Sequence, residues 1–175
     1  GSTAAADSTA RKVVDRTAVL GACPYAVDVL ALYAGLRSAG LEYGPMFQGV
    51  AAMWTKTDGA AGAGWLRHRP NKQGAQAHPG DLDSALQLTA ILFAQSAADS
   101  NETRLPFSVG EASMGSLAAR LCPVVEGAGV GRANVVLPSG KRGEPAMIQL
   151  TGFETKVLKG ARLAATAPPP PQQHY

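Results

Sequence analysis

Histidine and cysteine are scarce in this chain. Its 175 residues hold three histidines and two cysteines. Cys23 and Cys122 lie far apart, each followed by proline. Two distant thiols supply neither a metal-ligand cluster nor a disulfide framework, so no metal and no disulfide is expected. They read as buried thiols of a reducing compartment, and the expected localisation is cytoplasmic. Charge is sparse too. Charged residues make up 17% of the chain and the formal net charge is +3. No basic block carries interleaved aromatics, so nucleic acid is not an expected partner. No apolar run is long enough to span a membrane, no leader is visible, and no membrane partner is expected.

What is present is enough for one domain with a sizeable core, since 46% of the residues are hydrophobic. Gly1-Ser2 reads as a cloning scar, and residues 1–21 as that scar plus a linker rich in Ala, Ser and Thr. A domain is expected over 22–160. Residues 161–175, with four prolines at 168–171, read as an extended or disordered tail.

Within the domain, Asp28 to Gly40 predicts an amphipathic helix. Val29, Leu32, Tyr33 and Leu36 recur at helical spacing, with Asp28 as a cap and Gly40 just past the end. This helix is expected to pack rather than to carry chemistry. Gly44-Pro45 signals a tight turn leading into a strand over Phe47 to Trp54. Gly59 to Gly64 reads as a turn, with a short strand at Trp65-Leu66, and Asn71 to Ala77 as a polar loop. One long helix is then expected from Asp81 to Ala98. The second half reads as a meander of strands at Phe107 to Val109, Ala118 to Val125, Arg132 to Leu137 and Ala146 to Val157. Turns are expected at Glu126-Gly127, Pro138 to Gly140 and Gly143 to Pro145, and a bulge at Gly152. This order predicts an α+β fold in which a curved antiparallel sheet wraps one long helix.

The chain is organised around His78-Pro79-Gly80-Asp81-Leu82-Asp83-Ser84-Ala85-Leu86-Gln87. Asp83 and Gln87 are four apart and share one helical face. The uncharged run Leu88 to Ala94 follows, and a helix apolar all round is a buried one. A carboxylate there is costly unless it is paired or used. The plainer reading keeps its place: Asp83 in an early helical turn satisfies the dipole, and Asp81 is equally able to cap.

Three stretches together resemble the dehydratase domain of modular polyketide synthases. Gly40-Leu41-Glu42-Tyr43-Gly44-Pro45-Met46-Phe47 is similar to that family's GYxYGPxF motif, with Leu41 in place of the first Tyr. Asp83-Ser84-Ala85-Leu86-Gln87 matches DxxxQ and is preceded by the family's His-Pro. Leu105-Pro106-Phe107-Ser108-Val109 is similar to LPFxW, with Val109 in place of Trp. The resemblance covers about residues 22–158 and implies a hot-dog fold, specifically the C-terminal half of a double hot dog. The family's catalytic His belongs to an HxxxGxxxxP motif. His68, His78 and His174 do not fit it.

The resemblance implies removal of water from a β-hydroxyacyl thioester to give an α,β-enoyl thioester. The substrate would ride on the phosphopantetheine arm of an acyl carrier protein, with no other cofactor. Asp83 would be the acid and Gln87 its orienting partner. Tyr43, Gly44, Pro45, Phe47, His78, Pro79, Leu105, Pro106 and Phe107 would line or shape the substrate site, with Pro106 and Phe107 packing its wall. Expected partners are the carrier protein, an N-terminal hot-dog half supplying the His, and a second copy of the chain. Two other readings stand beside this one: a non-catalytic acyl-binding or assembly module with Asp83 and Gln87 as relics, and a self-dimerising hot-dog hydratase or thioesterase.

Overall fold

The computed structural model describes residues 11–69, 75, 77–96, 104–115, 121–139 and 143–157. The expected tail at 161–175, most of the 71–77 loop, His174 and the 118–120 end of one expected strand lie outside them. The architecture is α+β. Helices α1 (Arg16–Gly21), α2 (Val29–Ser38), α3 (Pro79–Gln87) and α4 (Thr89–Ser96) accompany eight strands: β1 (Tyr25–Val27), β2 (Val50–Thr55), β3 (Ala61–Leu66), β4 (Arg104–Ser108), β5 (Glu111–Met114), β6 (Val124–Gly129), β7 (Arg132–Leu137) and β8 (Ile148–Val157). The strands form one antiparallel sheet in the order β1-β2-β3-β6-β7-β8-β4, with β5 also paired to β8. Helices α3 and α4 pack on its inner face through a core of Leu88, Leu92 and Phe93 against Val50, Val125, Val135 and Ile148.

The central helix begins two residues earlier than expected and is interrupted once. His78 caps α3, not Asp81: its Nδ1 accepts the Gly80 N–H at 3.0 Å, and Pro79 occupies the first turn, where a missing N–H costs nothing. The interruption falls at Leu88. There the Thr89 hydroxyl donates to the Leu86 carbonyl at 2.6 Å and competes with the helical bond pattern. Leu88 itself is fully buried.

Other boundaries moved for readable reasons. Phe47 is not in a strand. Pro45–Phe47 form a single 3₁₀ turn closed by Phe47 N–H donating to Gly44 C=O at 2.9 Å, and β2 starts at Val50. The glycines read as a turn at 59–64 are mostly strand: the turn is at 56–59, where Gly59 has φ 63°, and β3 runs from Ala61. Gly64 is required in β3 by close approach. A Cβ there would lie 2.8 Å from the Ala52 carbonyl and 2.9 Å from Leu88 Cδ2, so the helix could not sit down on the sheet.

Glu126 and Gly127 are likewise strand, and the β6–β7 turn falls at 129–131, where Gly129 and Gly131 have positive φ. The last strand starts at Ile148 rather than Ala146, and β5 has no counterpart in the sequence reading. Residues 11–21, expected as linker, hold a bridge from Val13 to Pro145 and helix α1. Lys12 donates to Gln149 Oε1 at 2.8 Å and accepts from Ala146 N–H.

The bulge expected at Gly152 is present. Gly152 has φ 65°, its N–H donates to Asn134 Oδ1 at 3.0 Å, and the β7–β8 register shifts beside it. Ile148 and Leu150 are buried before it and Phe153 after it, so the inward-facing parity changes from even to odd.

Candidate functional site

The start of α3 is fixed from below. Asp81, 5% exposed, holds Arg69 through an Nε–Oδ1 ion pair of 3.0 Å, and Arg69 Nη2 donates to the Met46 carbonyl at 2.8 Å. Buried Ser84 donates to the Gly80 carbonyl at 2.7 Å. Arg69 therefore ties the 3₁₀ turn to the helix.

With the helix start pinned, Asp83 and Gln87 share one face, as their spacing predicts. Gln87 Nε2 donates to Asp83 Oδ2 at 2.7 Å and to the Phe47 carbonyl at 2.8 Å. Gln87 Oε1 accepts from the Tyr33 hydroxyl at 2.8 Å, and the same hydroxyl accepts the Val50 N–H at 3.1 Å. The partners leave one orientation for the amide: a carbonyl can only accept, so the nitrogen must face Phe47. Asp83 Oδ1 makes no hydrogen bond among the described residues.

These groups open onto a cavity of about 530 Å³. That is within the range of about 300–1,000 Å³ usual for small-molecule sites. It lies between α2, the α3–α4 pair and the β4 and β8 strands. Its wall is mainly apolar (Leu32, Leu36, Leu41, Ile91, Phe93 and Phe153), and its polar groups are Asp83, Gln87, Tyr43, Arg104, Thr155 and Asp28, with Thr89 beside them. Burial raises the Asp83 carboxyl above the ordinary range, and the Gln87 hydrogen bond opposes this. The Tyr43 phenol is pushed up to about 12, by burial first and then by the nearby Asp83 carboxylate. It stays protonated and so remains a donor. Tyr33 and Tyr43 meet edge to face, with centroids 6.4 Å apart.

The structure thus gathers Asp83, Gln87, Tyr43 and Pro106 at one cavity. It does not bring the other expected site residues to that wall. Gly44, Pro45 and Phe47 form the 3₁₀ turn, where Phe47 contributes its carbonyl while its side chain is 42% exposed. His78 and Pro79 shape the start of α3. Leu105 and Phe107 fall on the outer face because strand side chains alternate: Arg104 and Pro106 point to the cavity, and Phe107 stacks under the Lys156 ammonium, 3.3 Å from its ring centroid. The expectation that Phe107 packs the wall is corrected.

Tyr33 was missed. It had been read as a packing position. The signal available was a tyrosine on the inward stripe of an amphipathic helix, whose hydroxyl must find a partner when buried. Cys23 and Cys122 are free and buried, and burial pushes both thiols up, Cys122 to about 11, which makes them poor nucleophiles. Among the described residues no group of three or more His, Cys, Asp or Glu is placed to hold a metal, and no helix is long and apolar enough to cross a membrane.

Comparison with known proteins bears on what this arrangement is. The family model for the polyketide synthase dehydratase N-terminal domain matches residues 11–165. The chain belongs to this family. It is 36% identical over 100 residues to polyketide synthase GfsE of Streptomyces halstedii, covering 54% of this chain and 3% of that protein. It superposes with a TM-score of 0.72 on the dehydratase domain from the CurF module of curacin polyketide synthase, at 20% identity, covering 86% of this chain and 54% of that one. The chain therefore spans about half of the solved dehydratase domain and a small part of the curated synthase. Its fold is the hot-dog dehydratase fold. The CurK dehydratase, matched with TM-scores of 0.72 and 0.70, was solved as a His→Phe and as an Asp→Asn variant, each described as inactive.

Proposed function

We propose that this chain is the C-terminal hot-dog half of a polyketide synthase dehydratase domain and supplies the acid for removing water from a β-hydroxyacyl thioester. The observation that carries the reading is Asp83: a carboxyl raised by burial, in an apolar cavity of about 530 Å³, with one oxygen held by Gln87 and the other open. The matched family description names the N-terminal domain. Support for the C-terminal half comes from the DxxxQ stretch at Asp83–Gln87 and from the lack of a histidine in an HxxxGxxxxP context, while coverage of 54% of a solved dehydratase domain fits a half of either kind. The CurK dehydratase, described as inactive after loss of one His or one Asp, agrees with a two-residue acid–base pair of which this chain holds one member.

In this reading a histidine of the N-terminal half removes the proton on the carbon next to the thioester carbonyl. The carbon–hydroxyl bond breaks as Asp83 delivers its proton to the leaving oxygen. Water departs, and an α,β double bond remains. A raised pKa favours the protonated form of Asp83 that an acid needs, and base and acid tuned apart are what such a step requires. Gln87 leaves Oδ1 as the atom facing the hydroxyl. Tyr43, a protonated donor, binds the substrate's oxygen, and the apolar wall takes the acyl chain. The acyl group arrives on the phosphopantetheine arm of an acyl carrier protein, and the chemistry needs no further cofactor. The exposed side chains of Phe107, Val109 and Met114 near the β4–β5 edge favour pairing with another hot dog, either the N-terminal half or a second copy.

The test is a dehydration assay on a simple β-hydroxyacyl thioester. The chain alone is expected to be inactive. Adding the His-bearing hot dog is expected to give turnover, which Asp83→Asn abolishes. Turnover by the isolated chain would refute the half-domain reading. Undiminished turnover of the completed Asp83→Asn enzyme would refute the role of Asp83.

A further inference from the structure

We propose that Tyr33 is a positioning residue for Asp83: its hydroxyl, itself fixed by the Val50 N–H, locks the Gln87 amide so that Nε2 donates to the cavity carboxylate. The inference rests on the reading of Asp83 as the acid, and it adds a residue from a helix that the dehydratase motifs do not reach.

The chain of bonds is continuous and almost dry. Val50 is fully buried, Gln87 is 4% exposed, and the contacts run 3.1, 2.8 and 2.7 Å from Val50 N–H through Tyr33 and Gln87 to Asp83 Oδ2. Val50 is the first residue of β2, so the anchor is the sheet itself. A primary amide has two faces of opposite character. With Nε2 toward Asp83 it favours the carboxylate. Turned over, Oε1 would face the carboxyl and favour its protonated form. Two contacts oppose that flip. The Phe47 carbonyl wants a donor, and the Tyr33 hydroxyl, whose lone pair is committed to Val50, presents its proton to Oε1. Removing the Tyr33 hydroxyl leaves the Phe47 carbonyl and the Tyr43 side chain to hold the amide. Tyr33 does not itself line the cavity and makes no hydrogen bond to Asp83, so it acts through Gln87.

The other groups facing Asp83 are accounted for. Tyr43, from the segment before the 3₁₀ turn, is neutral. Asp28 caps α2 with its Oδ1 on the Leu30 and Ala31 N–H groups. Arg104 reaches the cavity from β4. Arg67 acts on Tyr33 and favours the ionised phenol.

The experiment is a carbon-13 titration of the Asp83 carboxyl in the intact chain, in Tyr33→Phe, in Gln87→Leu and in the double variant. Tyr33→Phe is expected to move the Asp83 midpoint to higher pH. In the Gln87→Leu background the same change is expected to move it no further, because the relay is already cut. A folded Tyr33→Phe protein with an unchanged Asp83 midpoint overturns the proposal, and so does an additive shift in the double variant. If Tyr33→Phe does not fold, the unaltered protein decides: the Tyr33 hydroxyl proton and both Gln87 amide protons are expected to exchange slowly with water, and exchange at the rate of an exposed phenol overturns the relay. None of these readouts needs turnover. A chain that shows the shift but never contributes to dehydration refutes the function and leaves the positioning intact.

Discussion

Replacing Asp83 by asparagine converts a carboxyl that burial drives toward neutrality into a group that is neutral at every pH. The effect on stability has a definite sign. Asp83 holds its proton more tightly in the folded chain than in the unfolded one. Its contribution is therefore fully favourable below the ordinary aspartate pKa of about 3.9 and is lost as pH rises through the higher folded value. Across that window the wild type loses up to about 1.4 kcal/mol per pH unit relative to Asp83→Asn, after which the gap is constant.

Two features limit the plateau. The carboxyl is only partly buried, so solvent screens some of the penalty. The Gln87 amide, 2.7 Å from Oδ2, also binds a charged acceptor better than a neutral one. The plateau therefore stays well below the several kcal/mol that a sealed, unpartnered charge costs. Urea unfolding of both proteins at pH values from about 3.5 to 8 measures it, with the m-value checked for constancy. Stability curves that run parallel across this range would show that Asp83 is not held in a desolvating site. A variant that loses ground as pH rises would show that the carboxylate is stabilised there, contrary to the acid role.

Two further changes probe the scaffold. Gly64→Ala places a methyl 2.8 Å from the Ala52 carbonyl and 2.9 Å from Leu88 Cδ2, and is expected to cost about 1–3 kcal/mol in urea unfolding; a neutral result would mean that the helix is not seated on β3 as closely as described. Asp81→Ala strands the Arg69 guanidinium, whose side chain is 18% exposed, and is expected to cost about 1–3 kcal/mol with little relief from added salt, whereas a loss under 0.5 kcal/mol would make the pair an ordinary surface contact.

The site was more legible in the sequence than the sheet was. The four-residue spacing of Asp83 and Gln87 determines a shared helical face wherever the helix begins, so an error of two residues in the boundary did no harm. Tyr43 came with its turn. Helix α2 was readable because its stripe and its Asp28 cap agree, and β7 because Val135, Val136 and Leu137 form a short apolar run bounded by turn residues. Only the Trp65-Leu66 end of β3 was readable, because glycine normally argues against a strand and here serves the approach of Leu88. Tyr33 was hidden because a hydroxyl's partner lies 54 residues away, and spacing along one element carries no trace of it. Strands β1 and β5 are three and four residues long and mostly exposed, too short for alternation to register. Phe107 was misplaced because a motif names residues but not faces, and only the register with β8 assigns them.

The bulge at Gly152 gives the cavity an unusual kind of sensitivity. Downstream of it, Phe153 and Thr155 face the interior while Glu154 and Lys156 face away, where Glu154 pairs with Arg132 and Lys156 covers Phe107. Removing this single residue would not merely shorten a strand. It would exchange the two sets, turning a carboxylate and an ammonium inward and an aromatic ring outward, all without altering any other residue. The lining of this half of the cavity is thus encoded partly as a count of residues, much as a message depends on its frame. A single-residue deletion can recast the wall more thoroughly than any substitution at the wall itself.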